Sequence, residues 1–343
     1  MLLKCQLEYP VSFFLQALAQ LVMEGGEMMA VILIIDRFDR LNQWEAGDLF
    51  FFFGIMSVTF YLTECFGRGL TGNFPSLIRT GQLKQMTDWY NGGGKEKLEE
   101  LPGAVPFSEV VYGPLYRNPR RIFGIGLNYV DHAGDIGDAA PQGFPGSFFK
   151  MADTLIGPED EIHLPALKEA VKTTAEAELG VIFAKDCRDV SEENWLDVVA
   201  GYTTILDMTE ESILKGNEFV KGNPRYLTIV KNFPTFFSFG PQLVTPDEVP
   251  DVLKLEVQSV HNGEVYAKNV VANMTHRPAR LVSLHSSIQG WYAGDVLSTG
   301  TPRAFGLADG DVAECRIIGP DGFAMEPLKN PVVDLKKHPE KGS

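Results

Sequence analysis

Cysteine is scarce in this chain of 343 residues: there are four, Cys5, Cys65, Cys187 and Cys315. They are far apart and form neither a Cys-x-x-Cys pair nor a Cys/His spacing, which argues against a thiolate zinc site. Scattered thiols in a chain of this size read as reduced, buried side chains of a cytoplasmic protein rather than as a disulfide framework. Positive charge is also short. Lys and Arg number 30 against 45 Asp and Glu, a net charge of −15, so the surface at large repels nucleic acid and anionic lipid. A small anionic substrate stays compatible with this, because a bound cation and one lysine can reverse the field locally. Long apolar runs are missing as well. Leu49–Thr63, flanked by Asp48 and Glu64, falls short of the roughly 20 residues that a spanning helix needs and reads as a buried strand or core helix. Val11–Met23 follows only one cation, Lys4, with Glu8 between them and no small-residue cleavage site, which is weak support for a signal peptide. Internal repeats and low-complexity tracts are absent, and no membrane partner is expected.

What is present is 45% hydrophobic content, enough for one large domain with a full core and a smaller region beside it. Residues 1–70 are aromatic-rich with few turn signals, and no fold follows from them. Apolar residues at helical spacing predict a helix over 74–90, ended by Asn91-Gly-Gly-Gly94. Prolines 102, 106, 114 and 119 mark 95–119 as a linker. From Arg121 the texture changes to short β-rich runs between Gly/Pro turns: 122–127, 147–150, 175–183, 202–207, 236–239, 254–261, 295–299 and 312–318. Asn262-Gly263 predicts a hairpin turn. Helical spacing returns at Ser191–Val199, with Ser191 as cap, and at Arg280–Ile288. Many short strands and few helices predict a mixed α+β, mainly β chain. It would be a β-sandwich or β-roll catalytic domain over 119–335, preceded by an atypical region and linker over 1–118.

Three carboxylates carry the strongest chemical signal. In a strand, residues two apart share a face, so Glu176 and Glu178 of Ala175–Phe183 point the same way. A second β-branched, apolar run, Gly201–Leu206, ends at Asp207. If the two strands are neighbours, three oxygen ligands meet at one point and call for a hard dication, Mg2+ first. Other residues are individually weak. His132, in a glycine- and acid-rich loop, has Asp135 three residues on and could be a base with its orienting acid. Lys231 lies between apolar residues; local sequence alone favours a snorkelling surface lysine over a buried one aimed at an anion. Thr299-Gly-Thr-Pro302 reads as a tight turn after a strand, whose backbone N–H groups and hydroxyls could meet a ligand.

The order of these pieces is more specific than any one of them. G-x-N-Y-x-x-H at 126–132, F-x-K ending at Lys150, E-x-E-L at 176–179, G-Y-x-x-x-x-D at 201–207, V-K-N-F at 230–233 and G-D-x-x-x-T-G-T-P at 294–302 together closely resemble the fumarylacetoacetate hydrolase family, over about residues 119–319. The resemblance implies a mixed β-sandwich roll, a homodimer, and a dication, Mg2+ or alternatively Mn2+, held by Glu176, Glu178 and Asp207. It implies Lys231 as the active-site lysine, Thr301 and Lys150 as contacts of a small anionic keto-acid substrate, and His132 with Asp135 as the water-activating dyad. Asp135 stands where a glutamate is common, and Leu206, Glu211 and Pro234 also depart from the usual pattern around the pocket. The implied activity is hydrolysis of a carbon–carbon bond in an acylpyruvate-type 1,3-diketo acid. A 2-hydroxyhepta-2,4-diene-1,7-dioate isomerase or an oxaloacetate-type decarboxylase of the same fold is the alternative, and a non-catalytic metal-binding or membrane-tethered relative is the reading from another class.

Overall fold

The computed structural model describes residues 74–99, 109–130, 142–215, 227–249 and 251–342. The apolar stretches at 11–23 and 49–63, Cys5, Cys65, and the pair His132 and Asp135 lie outside the described residues. Among the described residues the architecture is mixed α+β and mainly sheet. Its strands are β1 (Ile122–Gly126), β2 (Gly146–Lys150), β3 (Leu155–Ile156), β4 (Ile162–Leu164), β5 (Thr173–Phe183), β6 (Val199–Glu210), β7 (Phe237–Phe239), β8 (Glu256–His261), β9 (Glu264–Val270), β10 (Val296–Ser298), β11 (Ala304–Gly306), β12 (Val312–Ile318) and β13 (Leu328–Asp334). The helices are short: α1 (Phe74–Arg79), α2 (Gln82–Trp89), α3 (Lys95–Glu99), α4 (Glu211–Lys215), α5 (Leu227–Val230) and α6 (Pro278–Ile288).

Two sheets form. One runs β2-β1-β10-β5-β6-β7-β3, with β11 also paired to β5; the other runs β4-β13-β12-β8-β9. The long antiparallel pair β5–β6 is the spine, and both strands are buried along their whole length. Period-two alternation explains what each face does. Ala175, Ala177, Leu179, Val181 and Phe183 of β5, with Tyr202, Leu206 and Met208 of β6, join Val257, Ala313, Cys315, Ile317 and Leu328 of the second sheet in the main core. The opposite face of the spine carries Glu176, Glu178 and Asp207 at one end. On the same face Ile182 and Ile205, the latter opposite Glu178, join Ile78, Tyr116, Phe237 and Phe239 in a second apolar cluster.

The first sheet is strongly curled. β2 is four strands from β6, about 19 Å if flat at the usual inter-strand spacing. Yet Lys150 at the end of β2 puts its Nζ 2.5 Å from Asp207 Oδ1 on β6. The sheet therefore wraps so that its concave face closes around the carboxylates.

Several sequence expectations need correction. The stretch 191–199 is not a capped helix: only Trp195–Val198 forms a 3-10 turn, and β6 starts at once. Trp195 and Val198, three apart, both bury in the core at 3-10 spacing, and the β-branched run beyond extends as strand. The helix over 74–90 breaks at Thr80–Gly81, where the Thr80 hydroxyl donates to the Ser76 carbonyl at 2.8 Å. Helical structure resumes after Asn91–Gly94 as α3, so that run is a bend and not a stop. The hairpin at Asn262-Gly263 joins β8 to β9, with both residues at positive φ (53° and 85°), as a type I′ turn requires.

Candidate metal centre

The carboxylates converge through strand register. Glu176 lies directly opposite Asp207 across the β5–β6 pair, and Glu178 is one alternation further along the same face. One oxygen from each lies within 4.8 Å of the other two. All three residues are buried.

Each carboxylate is oriented by a neighbour. Thr209, two residues beyond Asp207, donates to Glu176 Oε1 at 2.5 Å. Glu178 Oε2 accepts from Ser298 Oγ at 2.5 Å and from the Gly300 backbone N–H at 2.7 Å. Glu178 Oε1 is buried with no hydrogen-bond partner. The phenol of Tyr129, buried nearby, is also unpartnered. Burial first, then the negative charge of Glu178, raises its pKa.

Two ammonium groups answer the acids. Lys231 Nζ lies 2.9 Å from Glu176 Oε2 and 2.8 Å from Asp207 Oδ2, over the Phe148 ring at 4.6 Å. Local sequence favours an exposed lysine here; the fold buries it at 4% exposure. Lys150 Nζ takes the other oxygen, Asp207 Oδ1. Burial alone would lower the pKa of Lys231, but Asp207, Glu176 and Glu178 outweigh it and hold the ammonium above its ordinary value. For Lys150 burial prevails over Asp207, and its pKa falls to about 8. Burial, with Asp207 and Glu176 alongside, pushes the Glu178 carboxyl up to about 8.

The donor set fits a hard dication. It is all oxygen and carboxylate-rich, and one buried oxygen, Glu178 Oε1, still lacks a partner. An unpaired buried acceptor costs about 1–3 kcal/mol, so a cation at this oxygen would be stabilising.

Thr301 is buried, with its hydroxyl 3.3 Å from the Arg303 carbonyl. The glycine of the Thr299–Pro302 turn meets a protein carboxylate, Glu178, and the Thr299 hydroxyl donates to the Leu179 carbonyl at 2.7 Å. Asn128 holds that turn in place: its Nδ2 donates to the Thr299 and His276 carbonyls at 2.8 and 2.9 Å, and its Oδ1 accepts from the His276 N–H. His132 and Asp135 lie outside the described residues. Sequence reasoning missed Thr209, although period two puts it on the acids' face. It also missed Ser298, which reaches Glu178 only through the pairing of β10 with β5.

Known proteins resemble this chain over the same span. The family model for the fumarylacetoacetate hydrolase C-terminal domain matches residues 121–333. A Burkholderia lata protein, named only provisionally as a hydrolase, is 39% identical over 225 residues, 64% of this chain and 76% of that protein. Among solved structures, maleylpyruvate hydrolase from Sphingobium sp. SYK-6 is 26% identical, with TM-score 0.60, over 78% of this chain and 91% of its own; it is also known in complex with manganese(II) and pyruvate. A 2-hydroxyhepta-2,4-diene-1,7-dioate isomerase from Mycobacterium marinum is 28% identical, with TM-score 0.56, over 68% of this chain and 82% of its own.

Proposed function

The chain belongs to the fumarylacetoacetate hydrolase family, and from that premise we propose that it is a metal-dependent hydrolase cleaving a carbon–carbon bond in an acylpyruvate-type 1,3-diketo acid. The observation that carries this reading is the concentration of three buried carboxylates and two buried ammonium groups at one point.

Charge decides what such a site accepts. With every group ionised, three carboxylates and two ammonium groups leave one negative charge. Without a dication, this excess is relieved by a proton on Glu178, whose carboxyl is pushed up to about 8. A Mg2+ or Mn2+ ion on Glu176, Glu178 and Asp207 reverses the sign to one positive charge, which suits an α-keto acid with one carboxylate at the reacting end. When bound, the dication supplies Lewis-acid polarisation of a keto oxygen.

The chain's own groups do the rest. Lys231, fixed by two carboxylates, presents a permanent positive charge beside the enolate that develops as the bond breaks. Lys150 and the Thr301 hydroxyl are the proposed contacts for substrate oxygens. His132 is the proposed base that takes a proton from the attacking water, with Asp135 as its proposed orienting acid. An isomerase or a decarboxylase would use the same enolate stabilisation with no attacking water, and similar solved structures include an isomerase as well as a hydrolase.

The test is a panel of acylpyruvates, oxaloacetate and hydroxydienedioates assayed with Mg2+, for the full chain and for His132→Ala. We expect hydrolysis of an acylpyruvate, abolished by EDTA. His132→Ala should lose it by about 10²–10⁴-fold, the usual contribution of general base catalysis. A wild-type protein that isomerises a dienedioate, or decarboxylates oxaloacetate, and leaves every acylpyruvate intact overturns the hydrolase reading.

A further inference from the structure

The two buried lysines reach the carboxylates from separate elements. Lys150 ends β2, an edge strand of the first sheet among the described residues, and Lys231 follows the short helix α5. Asn232 joins these elements. Its Oδ1 accepts from the Met151 backbone N–H at 2.6 Å and its Nδ2 donates to the Phe149 carbonyl at 3.1 Å. The same Nδ2 also donates to the Thr228 carbonyl in α5 at 2.9 Å. Phe149 and Met151 flank Lys150, and Asn232 follows Lys231 directly.

The geometry has a simple cause. In β2, Phe148 and Lys150 are buried, with Lys150 opposite Ile122 of β1; Phe149 is exposed between them. Backbone groups of alternate residues on an edge strand point to the unpaired side, where they need a partner. A carboxamide has one donor end and one acceptor end, so it satisfies both groups as a neighbouring strand would.

We propose that Asn232 is a positioning residue that fixes the spacing of the Lys150 and Lys231 ammonium groups, by clamping the strand carrying one to the helix end carrying the other. Its hydrogen bonds go to Met151, Phe149 and Thr228 and to none of the three carboxylates; it acts through the lysines. The inference rests on the metal-site reading above, and one arm of its test does not need that reading. Asn232 is partly exposed and belongs to neither apolar core cluster, so Asn232→Ala should fold.

The first arm uses metal-free protein. Brief acetylation read by mass spectrometry should find Lys150 and Lys231 protected in the wild type. Asn232→Ala and Asn232→Asp should both raise labelling at these two lysines by about tenfold, the factor that one lost hydrogen bond of about 1.4 kcal/mol gives. Asp restores the acceptor for Met151 but not the donor for Phe149, so it should not rescue. The second arm titrates Mn2+, then oxalate as a keto-acid probe. Ammonium groups held less firmly against Asp207 and Glu176 compete less with the dication, so Mn2+ should bind the variants as tightly or more tightly, and oxalate about tenfold more weakly. A merely structural loosening would weaken both together and lower Tm. Unchanged labelling, or a parallel loss of Mn2+ and oxalate affinity, overturns the proposal. Absence of Mn2+ binding in the wild type would sink the metal-site reading and leave the acetylation arm to decide the clamp.

Discussion

At the scale of single residues, the buried titratable groups away from the carboxylates set how the protein responds to acid. His285 on α6 is buried, its Nε2 has no partner, and its ring meets Phe123 edge-on with centroids 4.7 Å apart. Burial, with His276 nearby, lowers its pKa from 6.5 to about 4. The native state thus holds this ring neutral where the unfolded chain would protonate it. Its stability contribution is complete above pH 6.5 and is lost as pH falls toward 4. Asp295 works against it. Burial pushes this carboxyl up to about 6, only partly offset by the Tyr292 N–H and Arg121. The native state therefore takes up a proton first, and stability is gained as pH falls from 6 toward 3.8. Replacing His285 by Gln removes only the first effect. Urea unfolding of His285→Gln and its parent at pH 7 and pH 4.5 should show the variant losing about 2–3 kcal/mol less on acidification, from a shift of this size at 1.36 kcal/mol per unit. An identical loss in both proteins would assign the acid response elsewhere.

At the scale of an element, the turn after β10 is the tightest joint of the site. Gly300 has φ of 99°, in the left-handed region that favours glycine, and a Cβ there would lie 2.7 Å from Asn128 Cβ and 3.3 Å from the Ile125 carbonyl. The same residue donates its N–H to Glu178. Backbone and carboxylate cannot both keep their places with a larger residue. Gly300→Ala should cost about 1–3 kcal/mol of stability by denaturant titration. It should also lower Mn2+ affinity by about 10–100-fold, as loss of a group orienting a metal ligand does. Strand pairing explains which elements were legible. The long runs of β5, β6, β8 and β12 carry their own alternation and were readable within a few residues. β13 was missed because Pro331 reads as a breaker. It is tolerated because β4 pairs only with Val332–Asp334, so at Pro331 the strand has a partner on one side alone.

At the scale of the whole molecule, the curl of the first sheet brings strands far apart in the hydrogen-bonded order to one charged point. A site of that kind should link metal binding to global stability. Mn2+ at about one hundred times its Kd should stabilise the protein by about 2.7 kcal/mol, read as a Tm several degrees higher than in EDTA. Glu178→Gln should bind Mn2+ much more weakly and lose most of that shift. A full shift in the variant would mean that the ion binds elsewhere. Among the described residues no helix is long and apolar enough to cross a membrane. Cys187 and Cys315, the two described cysteines, are free thiols.

The amino-acid order by itself determined that Glu176 and Glu178 share a face and that the chain is mainly sheet, because period-two alternation is a local property of backbone geometry; that Asp207 lies opposite Glu176, inside a strand that runs on to Glu210, came from the pairing of β5 with β6. Only the tertiary structure decided that Lys231 is buried rather than solvated, that Lys150 reaches Asp207 from four strands away, and that Ser298, Gly300 and Asn232 hold charged groups or their strands in place. Those contacts join residues up to 122 positions apart in the chain. They exist because the sheet curls and its edges need partners, and neither cause is written in any short window of sequence.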